Sequence, residues 1–140
     1  MTRLKARIAE QIEALGPIPV NEYMALCLFD PRDGYYTTRE PFGADGDFVT
    51  APEISQMFGE LVAVWLYQAW LAIGRPLPVT IAEIGPGRGT LMKDMRRTLS
   101  RLDATLATAA RFAMIETSER LRDVQQRTLA AAASAIVWHE

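Results

Sequence analysis

An α/β fold built on a parallel sheet is predicted for residues 79–140, on three observations. First, Val79-Thr80-Ile81-Ala82-Glu83-Ile84 is a compact run with β-branched residues, the pattern of a buried parallel strand. Second, apolar runs at 112–116 and 135–139 repeat that pattern, each after a stretch of helical periodicity. Third, the first strand runs straight into a turn with three glycines, Gly85-Pro86-Gly87-Arg88-Gly89. The resulting β-α-β-α-β order implies strands joined by right-handed crossovers.

The first helix of this region is expected over 90–102, carrying Leu91, Met95, Leu99 and Leu102. Thr117-Ser118 caps a second helix over 119–132, and the alanine-rich stretch 130–135 reads as its end. Residues 1–78 form a mainly helical section ahead of the sheet. Leu4, Ile8, Ile12 and Leu15 recur at helical spacing, and Gly16-Pro17 stops that helix. A short helix follows over 21–29, with Asn21 as a candidate cap. Asp30-Pro31-Arg32-Asp33-Gly34 is turn chemistry, and Tyr35-Tyr36-Thr37-Thr38 is a candidate extended segment. A loop rich in Gly and Asp spans 39–49. Thr50-Ala51-Pro52-Glu53 reads as a capping box. The helix it opens carries Ile54, Phe58, Leu61, Val62, Trp65, Leu66, Ala69 and Ile73 on one apolar face, and Gly74, Pro76 and Pro78 end it.

The chain has 140 residues, 49% of them hydrophobic, with a formal net charge of −2. That charge gives no basic field for nucleic acid. The longest greasy stretch, 61–73, is too short to span a bilayer, so no membrane insertion is expected. One cysteine, Cys27, and one histidine cannot build a zinc cluster or an internal disulfide. Cys27 lies in an apolar run and reads as a core thiol. The basic N-terminus lacks the apolar core of a signal peptide, and Glu10 and Glu13 speak against a transit peptide.

The glycine turn carries the chemistry. Open α/β sheets bind ligands at the carboxyl ends of their strands. The spacing here is G-x-G-x-G, with Thr90 where a dinucleotide fingerprint would place its last glycine. This favours an S-adenosylmethionine-type loop over a NAD loop. No Gly-Lys-Ser/Thr follows, so a phosphate-cradling loop is a poor match. Gly85, Pro86, Gly87 and Gly89 are therefore candidate cofactor residues. Glu116 ends the second strand, where its two oxygens suit a ribose diol. Glu83, just before the loop, is positioned for the methionine ammonium. Each has a plainer reading: a tight turn for the glycines, a solvated strand end for Glu116, and a solvent-facing side chain for Arg88.

Three segments in one order resemble the MidA family: Gly46-Asp47-Phe48-Val49-Thr50-Ala51-Pro52-Glu53-Ile54-Ser55-Gln56-Met57-Phe58-Gly59-Glu60, then Glu83 through Leu91, then Ile115-Glu116-Thr117-Ser118. Tyr23-Met24 and Asp33-Gly34-Tyr35-Tyr36 resemble it too. The resemblance implies a Rossmann-like class I methyltransferase fold with S-adenosyl-L-methionine as methyl donor. It also implies a protein substrate, with symmetric dimethylation of an arginine in the large peripheral-arm subunit of respiratory complex I. The expected location is the cytoplasm for a bacterial chain and the mitochondrial matrix for eukaryotic relatives. A homodimer stays open. Three of the seven strands of such a sheet are present, so the chain is expected to be a truncated part of a longer polypeptide, inactive on its own. Its organisation is then a helical section at 1–78 and half of a cofactor-binding domain at 79–140.

A guanidinium nucleophile needs a carboxylate to orient it and help remove its proton. Asp47 and Glu53 are the candidates, against a turn-forming role for Asp47 and a capping role for Glu53. Thr50 is the expected cap and a candidate contact for the cofactor, because helix N-termini attract anions. Tyr35 and Tyr36 are candidate channel residues with core packing as the default. His139 at the third strand end is a candidate adenine contact. Two other functions compete: a non-catalytic assembly factor that keeps the cofactor fold, and a NAD-linked oxidoreductase.

Overall fold

The computed structural model describes residues 2–39 and 46–140, without the side chains of 132–134. The chain forms two compact units, Met1–Pro41 and Phe42–Glu140. The change in sequence pattern at 78/79 therefore falls inside the second unit.

The first unit holds α1 (Arg3–Leu15), α2 (Val20–Phe29) and α3 (Tyr35–Thr38). Thr2 caps α1 by accepting from Lys5 N, and Gly16 closes it at φ 88°. The cap expected from Asn21 is not used: α2 starts one residue earlier, behind Pro19, with no side-chain cap. The extended segment expected at Tyr35-Tyr36-Thr37-Thr38 is instead a helical turn. The Thr38 hydroxyl donates to the Gly34 carbonyl at 2.6 Å, and the Thr37 hydroxyl lies 2.6 Å from the Asp30 carbonyl and 3.0 Å from that of Gly34, which favours the helical turn over a strand. Tyr35 and Tyr36 pack edge to face at 5.0 Å, and Tyr36 stacks on Phe29. Asp30 organises the unit. It is buried, accepts Arg7 Nη2 at 2.7 Å and takes the backbone N–H groups of Arg32 and Asp33 at 3.0 Å. The Arg7 guanidinium and these backbone donors hold its carboxyl at about 2. Cys27 is half-buried and free.

The second unit opens with α4 (Ala51–Ile54) and α5 (Gln56–Ala72). The single capped helix expected here is broken at Ser55. Ser55 adopts extended geometry and caps α5 itself, accepting from Met57 N at 3.2 Å. Thr50 makes no side-chain cap bond. Glu53 is thereby released from capping. The strands β1 (Thr80–Ile84), β2 (Arg111–Ile115) and β3 (Ile136–His139) form a parallel sheet in the order β1-β2-β3. Between β1 and β2 lie α6 (Thr90–Leu102) and α7 (Ala104–Ala109). α7 was not expected from the sequence, although Asp103 caps it through Leu106 N at 2.9 Å. Between β2 and β3 lies α8 (Glu119–Thr128), followed by a 3-10 turn at Ala130–Ala135 where the sequence suggested more α-helix.

The register Ile81↔Phe112↔Ile136 and Glu83↔Met114↔Trp138 puts these side chains on one face of the sheet. That face carries the core, with Ala63 and Trp70 of α5, Met92, Met95 and Leu99 of α6, and Leu106 of α7. On the other face Thr80, Ala82, Ile84 and Val137 are exposed. α5 and α6 meet closely at Gly59, where a Cβ would lie 2.7 Å from the Asp94 Cβ. Beside this contact Arg97 binds both Glu60 at 3.1 Å and the buried Asp94 at 3.2 Å. The β1–α6 junction is thus held rigidly on a packed scaffold.

Candidate cofactor site

The turn between β1 and α6 has Gly85, Gly87 and Gly89 at φ 64°, 54° and 81°. A side chain at any of the three would be strained in this left-handed region. Gly85 N donates to the Ile115 carbonyl at 3.0 Å, so the turn begins level with the end of β2. Gly89 takes the N-cap position of α6 with no side-chain cap. The first turn of α6 instead uses Glu83, whose carboxylate accepts the Met92 N–H.

Glu83 has a second oxygen, Oε2, that is buried and has no hydrogen-bond partner. Burial pushes its carboxyl up to about 7, against the opposing pull of the Met92 N–H. The acid is therefore protonated in the folded chain at pH values where the unfolded chain has already released its proton. Stability from this group falls as pH rises from about 4.5 to about 7 and then levels. Glu83→Gln is expected to raise the melting temperature of the unliganded protein at pH 8 and to change it little at pH 4.5. Equal shifts at both pH values, followed by thermal denaturation, would contradict the assignment.

Glu116 follows β2 and is 8% exposed. Its backbone N–H donates to the His139 carbonyl at 2.9 Å, fixing it between β2 and β3. Its Oε1 accepts Ser118 N at 2.9 Å, and its Oε2 accepts Gln125 Nε2 at 3.2 Å. Ser118 is the cap of α8, as the sequence suggested. The plainer alternative, a solvated strand end, does not hold: Glu116 is a constrained, buried carboxylate.

A cleft of about 260 Å³ lies over the turn, lined among others by Thr50, Glu53, Glu83, Gly85, Arg88 and Thr90. Pro86 and Gly87 line it too. Glu53 reaches from α4 to the start of α6, where it accepts the Thr90 hydroxyl at 2.5 Å. Its other oxygen lies 3.7 Å from Arg88 Nη1. Arg88 is thus drawn to Glu53 while 43% of its side chain stays exposed. Asp47 is exposed and does not line the cleft, so the fold brings one of the two candidate carboxylates to the loop. The four-residue α4 offers Thr50 as a wall of the cleft. His139 is exposed and contributes its carbonyl. Part of the glycine- and aspartate-rich loop at 39–49 lies outside the described residues.

Sequence reasoning missed Gln125 and Trp138. Gln125 is fully buried beneath the turn and donates to the Gly87 carbonyl at 2.9 Å as well as to Glu116. Trp138 Nε1 donates to Gln125 Oε1 at 3.0 Å. Gln125 lies four residues from both Leu121 and Leu129, which are buried, so helical spacing could have marked it as inward-facing, but the polar composition of the helix hides that face.

A positive-φ glycine turn at the end of β1, with a fixed carboxylate at the end of β2, on a parallel sheet flanked by helices, is the arrangement of a Rossmann-like fold. Residues 61–140 match the family model described as "Putative S-adenosyl-L-methionine-dependent methyltransferase", and the chain belongs to that family. This is the class to which the MidA resemblance pointed. The chain is 42% identical over 131 residues to mouse "Protein arginine methyltransferase NDUFAF7, mitochondrial", covering 93% of this chain and 30% of the mouse protein. It is 49% identical over 98 residues to the Drosophila melanogaster homolog of that protein, covering 70% of this chain and 22% of the fly protein. A crystal structure of a Burkholderia thailandensis protein bound to S-adenosyl-homocysteine superposes with a TM-score of 0.82 at 31% identity, covering 98% of this chain and 36% of that one. The chain therefore covers 22–36% of the length of these relatives.

Proposed function

We propose that this chain supplies the S-adenosyl-L-methionine-binding half of a protein arginine methyltransferase that acts in the assembly of respiratory complex I. The observation that carries the cofactor is the unpartnered, buried Oε2 of Glu83 beside the glycine turn. A buried acceptor without a donor costs free energy unless a ligand supplies one, and the ammonium of a methionine moiety would do so. Gly85, Pro86, Gly87 and Gly89 form the cradle, Thr50 walls the cleft, and Glu116 offers its remaining lone pairs to the ribose diol. When bound, the sulfonium supplies an activated methyl group for in-line displacement. The chain's own task is then orientation and electrostatics.

Protein arginine methylation is supported by the names of the curated relatives. Glu53 is our choice for the carboxylate that orients the guanidinium. It lines the cleft and already attracts one guanidinium, that of Arg88. Asp47 is a second choice, since it lies outside the cleft lining. The substrate we infer is the large peripheral-arm subunit, dimethylated symmetrically, in the mitochondrial matrix for eukaryotic relatives and the cytoplasm for a bacterial chain. Among the described residues no helix is long and apolar enough to cross a membrane.

The test is transfer of tritiated methyl from the cofactor into purified complex I subunits by the full-length polypeptide. Symmetric dimethylarginine in the labelled subunit is the expected product. Cofactor binding with no label in any subunit would overturn the catalytic reading and leave a non-catalytic assembly factor.

A further inference from the structure

Gln125 uses both its N–H groups and its oxygen at the centre of three elements. Its two N–H groups go to the Gly87 carbonyl at 2.9 Å and to Glu116 Oε2 at 3.2 Å. Its oxygen accepts the indole N–H of Trp138 on β3 at 3.0 Å. Because indole is only a donor and both other partners only acceptors, one amide orientation satisfies all three bonds. The side chain is fully buried, so no water competes for these bonds. α8 also packs directly on the turn, since a Cβ at Gly89 would lie 3.5 Å from the Gln125 Cα and Cγ.

Glu116 and the glycine turn belong to different strands, yet both must face one ligand. β1 and β2 fix their backbones relative to each other, but no strand hydrogen bond orients the Glu116 carboxylate. The Ser118 N–H holds one of its oxygens locally, and Gln125 ties the other to the very peptide that turns under the ligand. We propose that Gln125 is a positioning residue for cofactor binding: it locks the ribose-binding carboxylate of Glu116 to the Gly87 peptide, with Trp138 fixing the amide. This rests on the S-adenosyl-cofactor reading given above.

The brace has a consequence that a merely structural glutamine lacks. Its loss must fall on the part of the ligand that Glu116 holds. The experiment is calorimetric titration of wild type, Gln125→Met and Trp138→Phe with S-adenosylhomocysteine and with its 2′-deoxy analogue. Gln125→Met keeps the volume and removes the amide, leaving the Glu116 oxygen and the Gly87 carbonyl each short of one donor and the Trp138 indole N–H without its acceptor. For S-adenosylhomocysteine it is expected to weaken binding about tenfold or more, the scale of one buried charge-assisted hydrogen bond. For the 2′-deoxy analogue, which lacks one hydroxyl donor to Glu116, the variant and wild type are expected to differ by much less. Trp138→Phe frees the amide to turn while keeping an aromatic ring, and it is expected to show the same ligand-dependent loss in smaller measure. If Gln125→Met does not fold, Trp138→Phe carries the comparison alone.

Wild type that binds S-adenosylhomocysteine together with variants that bind it equally well would overturn the brace and leave the cofactor reading intact. Equal loss for both ligands would also overturn it, because the amide would then act on the fold at large. Wild type that binds neither ligand would overturn both readings.

Discussion

Gly87→Val is expected to abolish detectable binding of S-adenosylhomocysteine. Gly87 has φ 54°, a backbone that a β-branched residue adopts only with strain. Its carbonyl is already committed to Gln125, so the peptide cannot swing away without breaking a buried bond. The strain of such a position alone amounts to a loss of roughly ten- to a hundredfold when the binding conformation must be restored. The isopropyl group beside the cleft adds steric exclusion to that. The unliganded melting temperature should fall as well, so the binding measurement is made where the variant is folded. Retained affinity in a folded variant would mean that the ligand does not lie against this turn.

The second large effect is expected at Glu116. Glu116→Ala removes the carboxylate at the end of β2 and strands two donors inside the protein, Ser118 N and one N–H of Gln125. Losing the acceptor for both ribose hydroxyls is worth on the order of a hundredfold in affinity for S-adenosylhomocysteine. The unpaired donors lower stability in addition. Glu116→Gln keeps one acceptor oxygen but sets an amide against the Gln125 amide. Its affinity should lie between those of Glu116→Ala and wild type. Titration with adenine, which carries no ribose, should show little difference among the three. A Glu116→Ala variant that binds S-adenosylhomocysteine like wild type would remove Glu116 from the site.

The sheet and its order were legible because β-branched runs and glycine punctuation are local signals. The strand at 79–84 and the helix at 90–102 correspond to β1 (Thr80–Ile84) and α6 (Thr90–Leu102) within one residue. The turn after β1 was equally plain, since glycine is the residue that adopts φ values such as those at Gly85, Gly87 and Gly89 with least strain. What misled was competition between local signals. Thr50-Ala51-Pro52-Glu53 has the letters of a capping box, yet Ser55 starts the long helix and Glu53 turns to Thr90, 37 positions away. Tyr35-Tyr36-Thr37-Thr38 has strand-forming residues, but the threonine hydroxyls find the Asp30 and Gly34 carbonyls and hold a helical turn.

Gln125 was not legible for a different reason. Its role exists only because Gly87, Glu116 and Trp138 converge from three elements, and nothing in the helix 119–132 announces that convergence. The same holds for Glu83. Its place before the turn was visible, but its buried, unpartnered oxygen depends on how α6 closes over it.

On the proposed reading, the turn Gly85-Pro86-Gly87-Arg88-Gly89 receives an S-adenosyl cofactor. Calorimetric titration of the protein with S-adenosylhomocysteine and, separately, with NADH tests it most directly. Saturable binding of S-adenosylhomocysteine and none of NADH is the expected result. Tight binding of NADH with no binding of S-adenosylhomocysteine would contradict it.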